Sequence, residues 1–194
     1  MQKPKVAIIG HGNVGSALER GLKRAGYEVR ATGKDAKQVH DTASWAEAVI
    51  LAVPFGAIDA TVKELGDAAD GKPVIDVTNA LGPNGELALG FTSSGAEELQ
   101  RKLPNARVVK SFNTVFAQHM DSGRVKDQRL TAFVAGNDDE AKRVVSELAN
   151  DIGFDPVDAG PLENARWIES LGYLNIQLGY KLKMGHEIGF ELVH

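Results

Sequence analysis

Six residues near the start leave this chain few folds to choose from. Gly10-His11-Gly12-Asn13-Val14-Gly15 stands directly behind the apolar run 6–9 and at the head of a helical pattern. A GxGxxG alone is a weak signal, but between a strand and a helix it predicts a dinucleotide-binding turn. Gly10 allows the tight turn, Gly12 has no Cβ to obstruct a pyrophosphate, and Gly15 lets helix lie close on strand. The helix start then offers unpaired N–H groups and the positive end of its dipole to the phosphates. The alternative is a glycine turn that holds no ligand. His11 is an open position of the pattern, either a phosphate contact or a solvent-facing side chain.

Short apolar runs recur at 6–9, 29–32, 48–53, 74–77, 107–110, 130–135 and, more weakly, 154–157. Several are apolar throughout, as strands covered on both faces are. Between them Val14, Ala17, Leu18, Gly21, Leu22 and Ala25 recur at steps of three and four and stop at Gly26. Ala141, Val144, Val145, Leu148, Ala149 and Ile152 do the same before Gly153. Both are helical faces, and 58–65 and 96–103 are shorter ones. This alternation predicts an α/β fold, a doubly wound Rossmann-like parallel sheet over residues 1–160. Residues 34–45 leave room only for a vestigial third strand, which counts 48–53 as the fourth.

From residue 161 the pattern changes, and 161–194 predicts a small C-terminal helical segment that closes the cleft, with one long helix over 164–184. Trp167, Leu171, Leu174, Leu178 and Leu182 form one stripe; Ile168, Gly172, Asn175, Ile176 and Gly179 form its neighbour. So wide an apolar face, with glycines that admit another helix, predicts a homodimer interface. The alternative is helix-on-sheet packing within one subunit.

Composition removes whole classes of function. With 22 basic and 26 acidic residues the net charge is −4, so neither a nucleic-acid groove nor a polybasic membrane patch is expected. There is no cysteine, hence no disulfide, thiolate metal site or cysteine nucleophile. The first apolar run is too short for a signal peptide or membrane span, and a cytoplasmic protein is expected. The five histidines lack i, i+3 or i, i+4 pairing, so no metal is predicted. Four residues beyond Tyr27, Tyr173 and Tyr180 stand Ala31, Gln177 and Met184, which removes the Tyr-x-x-x-Lys mechanism of short-chain dehydrogenases. Lys181 has Gly185 four residues on, where a β-hydroxyacid dehydrogenase carries Asn. With no catalytic acid or base in view, the pattern suits direct hydride transfer between two redox rings held roughly 3–3.5 Å apart.

The end of the second strand selects the nucleotide. NAD binders usually place Asp or Glu there for the ribose 2′-OH, whereas this strand ends Thr32-Gly33-Lys34. Thr32, the Gly33 N–H and Lys34 would donate to a 2′-phosphate. Two charge-assisted bonds of roughly 1.5–3 kcal/mol each favour NADP(H) about a hundredfold. Lys34 also reads as a solvated lysine at a helix start, and nearby Asp35 keeps NAD admissible. Further along, Val53, Pro54 and Phe55 border the same crevice, as does the loop that ends Asn79-Ala80, and Asn79 and Asn113 are the polar candidates to face the nicotinamide or its substrate. Both asparagines also suit plain turns.

These residues together resemble the coenzyme F420-dependent NADP reductase family over nearly the whole chain. The resemblance rests on the Gly10–Gly15 turn, on Val53-Pro54-Phe55 followed by Ala57-Ile58-Asp59, and on Ala135-Gly136-Asn137-Asp138-Asp139-Glu140. Most specific are Asp158-Ala159-Gly160-Pro161-Leu162-Glu163-Asn164-Ala165-Arg166 and Glu169-Ser170-Leu171, with Met184-Gly185-His186-Glu187 near the end. The cytosolic oxidoreductase domains of STEAP metalloreductases are similar through Val109-Lys110-Ser111-Phe112-Asn113 and 153–158. The resemblance implies a Rossmann domain, usually dimeric, with NADP and a diffusible deazaflavin (coenzyme F420), FMN or FAD as hydride partners. It adds Ile58 to a cofactor-binding set of Gly10, His11, Gly12, Asn13, Val14, Thr32, Gly33, Lys34, Val53, Pro54, Phe55, Asn79, Ala80 and Asn113. Lys34 stands where the archaeal enzymes carry Arg. Residues 76–83 depart from the apolar, proline-containing segment those enzymes set beside the deazaflavin. The expected function is NADP(H)-dependent hydride transfer with a deazaflavin or flavin. A ferric or flavin reductase of STEAP type and an NADP(H)-sensing module without catalysis are the alternatives.

Overall fold

In the computed structural model, which describes residues 3–33 and 35–193, the chain folds around one seven-stranded sheet. Val6 and Ile8 point to one side of strand β1 (Val6–Ile9) and Ala7 and Ile9 to the other; all four are buried, which places β1 inside the sheet. Strands β2 (Val29–Thr32) and β3 (Ala48–Leu51) pair with it in parallel on either side. Outward from β3 come β4 (Pro73–Asp76) and β5 (Arg107–Lys110), also parallel.

Helices cover both faces. α1 (Asn13–Arg24) and α5 (Asp139–Ile152) close one core with Leu18, Leu22, Val145 and Leu148. The other face is closed by α2 (Ala36–Trp45), α3 (Ile58–Leu65) and α4 (Gly95–Lys102), which bury Val39, Leu65 and Leu99. Residues 36–45 are therefore a helix, not a vestigial strand, and the run at 48 is the third strand. Asp35 explains the helix: its side chain accepts from the Gln38 N–H at 3.0 Å as N-cap.

Beyond β5 the sheet changes direction. No helical pattern lies between residues 110 and 131, and a parallel return needs a crossover of a dozen or more residues, usually helical. Instead a hairpin, β6 (Arg124–Val125) with β7 (Gln128–Arg129), leads into β8 (Thr131–Gly136), which pairs antiparallel with β5. The edge strand β9 (Asp155–Asp158) runs parallel to β8. The sheet order is β2-β1-β3-β4-β5-β8-β9.

The C-terminal helix α6 (Ala165–Ile176) gives way to a single π-helical turn at Gln177–Lys181, short of the expected end at 184. Its glycines serve this subunit, not another helix. A Cβ at Gly172 would approach Asn79 Oδ1 to 2.6 Å, and one at Gly179 would approach Phe116 to 2.6 Å. Trp167, Leu174 and Leu182 of the other stripe remain exposed. No helix among the described residues is long and apolar enough to cross a membrane.

A charged clamp ties α6 to α4. Arg166 reaches Glu97 with Nε to Oε2 at 2.9 Å and Nη2 to Oε1 at 2.7 Å. Burial opposes ionisation of Glu97, but the Arg166 guanidinium and the Ser94 hydroxyl outweigh it and hold the carboxyl below its ordinary value. A carboxyl whose folded value is depressed stabilises the protein above its unfolded value and loses that contribution as pH falls through the folded one. The stability gap between the native chain and Glu97→Gln should thus be constant from about pH 8 to 5 and shrink below that. Urea unfolding at stepped pH measures it; a gap that grows on acidification contradicts the assignment.

Candidate functional site

The C-terminal ends of β1, β3 and β4 open into one cleft, at the switch point between β1 and β3 where the strand order reverses and where ligands of open α/β sheets bind. Its larger part, about 540 Å³, runs between Gly10, His11 and Gly12 on one side and Val53, Pro54, Ala57 and Thr61 on the other, reaching Gly33. The smaller part, about 320 Å³, continues over Asn13 and Val14 to Phe55, Thr78 and Asn79.

The turn at the cleft floor is built by two glycines with different duties. Gly10 has φ +105°, and a Cβ there would collide with the Ala52 carbonyl. Gly12 has φ −81°, open to any residue, and a Cβ there would meet nothing within 4 Å. Steric need inside the fold thus explains Gly10 but not Gly12, whose missing side chain leaves space above α1. The same helix has no side-chain cap and no acid in its first turn. Asp35, Ser94 and Asp138 cap α2, α4 and α5, whereas α3 and α6, which follow 3-10 turns, share with α1 the lack of a side-chain cap. The first N–H groups of α1 therefore have no hydrogen-bond partner among the described residues.

The residues expected at the site divide. Gly10, Gly12, Asn13, Val14, Gly33, Val53, Pro54, Phe55 and Asn79 line the cleft. His11 lines it too, but its Nε2 is engaged by Glu19 at 2.8 Å. Thr32 is buried and donates to Gln38 at 3.3 Å, behind Gly33. Lys34 lies outside the described residues. Ile58 and Ala80 are buried beside the cleft and do not line it.

Asn113 is also one layer back. Its Nδ2 donates to Asn79 Oδ1 at 3.0 Å and to the Ile168 carbonyl at 3.1 Å, while Asn79 Nδ2 returns a bond to the Asn113 carbonyl at 3.1 Å. Asn113 thus orients Asn79 and docks α6. Phe112 makes this turn with φ +65°, a conformation that costs a non-glycine residue of order 1–3 kcal/mol. Its buried ring packs edge-on against Phe154 at 5.5 Å, which holds the strained turn in place.

Beneath this layer is a charged cluster that sequence reasoning missed. Lys110 is fully buried, with Nζ 2.9 Å from Asp76 Oδ2 and 3.0 Å from Glu169 Oε1, and it also donates to the Thr78 carbonyl. Glu169 in turn accepts from the Gly95 N–H at 3.0 Å and from that of Ala96 at 3.4 Å, so a residue of α6 caps α4. Burial opposes the charge on Lys110, but the two carboxylates prevail and hold its pKa above the ordinary lysine value. Two carboxylates against one ammonium leave one negative charge, which the positive end of α4 partly offsets. The signal was present as opposite charges ending adjacent apolar runs: Asp76 and Lys110 are register partners of β4 and β5.

The smaller end of the cleft has a distinct character. Among the described residues none of its lining side chains is ionisable, and Thr78 Oγ1, buried, has no hydrogen-bond partner. No group of three or more potential metal ligands occurs among the described residues. The geometry fits a dinucleotide: an open glycine over an uncapped helix start for the diphosphate, and a buried hydroxyl with an oriented amide for a polar ring substituent.

Fold and cleft define an α/β protein of the dinucleotide-binding class. The comparisons make the class specific. The family model for NADP oxidoreductases that depend on coenzyme F420 matches residues 5–45 and 33–80. The F420-dependent NADP reductase of Methanocaldococcus jannaschii is 35% identical over 84% of this chain and 74% of its own. Metalloreductase STEAP3 of Rattus norvegicus is 30% identical over 88% of this chain, which spans 36% of that protein's length. The crystal structure of a candidate F420-dependent NADP reductase from Arthrobacter sp. FB24 superimposes with a TM-score of 0.89 at 29% identity, covering 98% of this chain and all of the other. This chain belongs to the coenzyme F420-dependent NADP oxidoreductase family.

Proposed function

We propose that the chain binds NADP(H) along the cleft and exchanges a hydride with a diffusible deazaflavin of the coenzyme F420 type, or with a flavin. The observation that carries this reading is the uncapped start of α1 beneath Gly12, leading into a cleft end without ionisable side chains. NADPH, when bound, supplies a hydride from its nicotinamide ring. The chain's own residues bind and orient. The N–H groups of α1 receive the diphosphate, Gly33 and Lys34 the ribose phosphate, and Pro54 and Phe55 wall off water. Thr78 and Asn79 address the ring substituent. Asp35 caps α2 through Oδ1, one of its two carboxylate oxygens, and Thr32-Gly33-Lys34, not Asp35, carry the NADP preference.

A direct transfer between two rings needs orientation more than proton transfer, and the described lining of the smaller cleft end carries no ionisable side chain. Residues 1–160 form the nucleotide-binding part and 161–194 close the cleft over it. The exposed stripe of Trp167, Leu174 and Leu182 supports a homodimer. The similarity to STEAP3 favours a second reading, reduction of free flavin or ferric chelates. NADPH mixed with oxidised coenzyme F420 should lose its absorbance at 340 nm on addition of protein. Faster turnover with FMN or a ferric chelate selects the second reading, and no turnover with any of the three contradicts both.

A further inference from the structure

The charged cluster beneath the cleft meets the site at one residue. Thr78 follows β4, and the cluster holds both of its backbone polar groups. Asp76 Oδ1 accepts from the Thr78 N–H at 2.9 Å, and Lys110 donates to the Thr78 carbonyl. Lys110 is itself fixed from two sides, by Asp76 Oδ2 at 2.9 Å and Glu169 Oε1 at 3.0 Å. Of the described residues that keep a buried side-chain polar atom unpaired, Thr78 alone lines the cleft. A buried hydroxyl without a partner is unfavourable, and a polar group on a bound ligand relieves it.

Stability alone gives the cluster little reason to exist, because well-packed apolar side chains of similar volume stabilise a fold as well as a buried ion pair does. Its geometry gives a better one. Apolar residues in place of Asp76 and Lys110 would fill the space but leave the Thr78 N–H and carbonyl without partners. The C-terminal helix takes part as well. Glu169 of α6 grips Lys110, which holds Thr78; one residue earlier, the Ile168 carbonyl accepts from Asn113, which holds Asn79. Consecutive residues of α6 thus support consecutive residues of the cleft wall.

We propose that Lys110, Asp76 and Glu169 are positioning residues for recognition of the nicotinamide: through the Thr78 backbone they aim its hydroxyl at the carboxamide, and they make that aim depend on the docking of α6. The inference rests on the NADP(H) reading and specifies how the chain senses the ring.

The test is binding, not turnover. Calorimetry with NADPH and with 2′-phospho-ADP-ribose, which lacks only the nicotinamide, isolates the contribution of the ring. The NADPH ring is uncharged, so an altered charge beneath it acts on both ligands alike. Thr78→Val should weaken NADPH about fivefold and leave 2′-phospho-ADP-ribose unchanged. Lys110→Met combined with Glu169→Gln should show the same selective loss, even though the second substitution restores part of the stability. Added to Thr78→Val, that pair should weaken NADPH no further, since it acts through a hydroxyl already removed. Glu169→Gln alone, in which Gln still accepts from the Gly95 N–H, should lose about threefold with the same selectivity, and it carries the comparison if the combined protein does not fold.

Native NADPH affinity in Thr78→Val overturns the contact, as do equal affinities of the native chain for the two ligands. Native NADPH affinity in the combined protein or in Glu169→Gln overturns the positioning role. So does an equal loss for both ligands, or a loss that adds to that of Thr78→Val. A native chain that binds neither ligand contradicts instead the NADP(H) reading, and this inference with it.

Discussion

Lys110→Met should lower the stability of the protein by about 3–5 kcal/mol, the usual consequence of breaking a buried ion pair from one side. The reason is what remains behind. Asp76 and Glu169 are buried on either side of Lys110, at 2.9 and 3.0 Å, and methionine offers neither charge nor donor to compensate them. The Thr78 carbonyl loses its donor as well. For a chain of this length the melting temperature should fall by roughly 10–15 °C. Lys110→Met combined with Glu169→Gln should recover part of the loss, since one stranded carboxylate is removed while Gln can still accept from the Gly95 N–H. Urea unfolding of the native chain and both variants measures this. A single-variant loss under about 1 kcal/mol would show that the cluster contributes little.

That cluster also marks where the sequence ceases to be legible. The glycine turn could be read because strand, turn and helix start are adjacent in the chain. Lys110 pairs with residues 34 positions before it and 59 after it, a distance at which a sequence records only that charges end apolar runs. Asn113 failed for a related reason: its residue type suits a cleft wall, but the α-left turn at Phe112 sends its amide to Asn79 and the Ile168 carbonyl instead. Gly172 and Gly179 announced a close approach without saying of what, and the partners are Asn79 and Phe116 of the same chain. The antiparallel β8 was legible in principle, since residues 111–130 lack the periodic apolar face of a crossover helix. The start of α2 was legible too, in Asp35 as its cap.

The second large effect concerns Gly12. Gly12→Val should leave folding almost unchanged, because its backbone is in a conformation valine adopts freely and its Cβ position is open. The same branched side chain would stand over the first N–H groups of α1, in the space given to the diphosphate. Affinity for NADPH should fall at least a hundredfold, about 2.7 kcal/mol or more. Gly10→Ala is the structural contrast. There the φ of +105° and the Ala52 carbonyl exclude a side chain, so loss of folding and loss of binding would arrive together.

Calorimetric titration of NADPH and NADH into the native chain and Gly12→Val, alongside their thermal unfolding, bears most directly on the whole account. The native chain should bind NADPH, and NADH more weakly, while Gly12→Val should bind neither at an unchanged melting temperature. Equal NADPH affinity in the two proteins, or no heat from either nucleotide with the native chain, would contradict it.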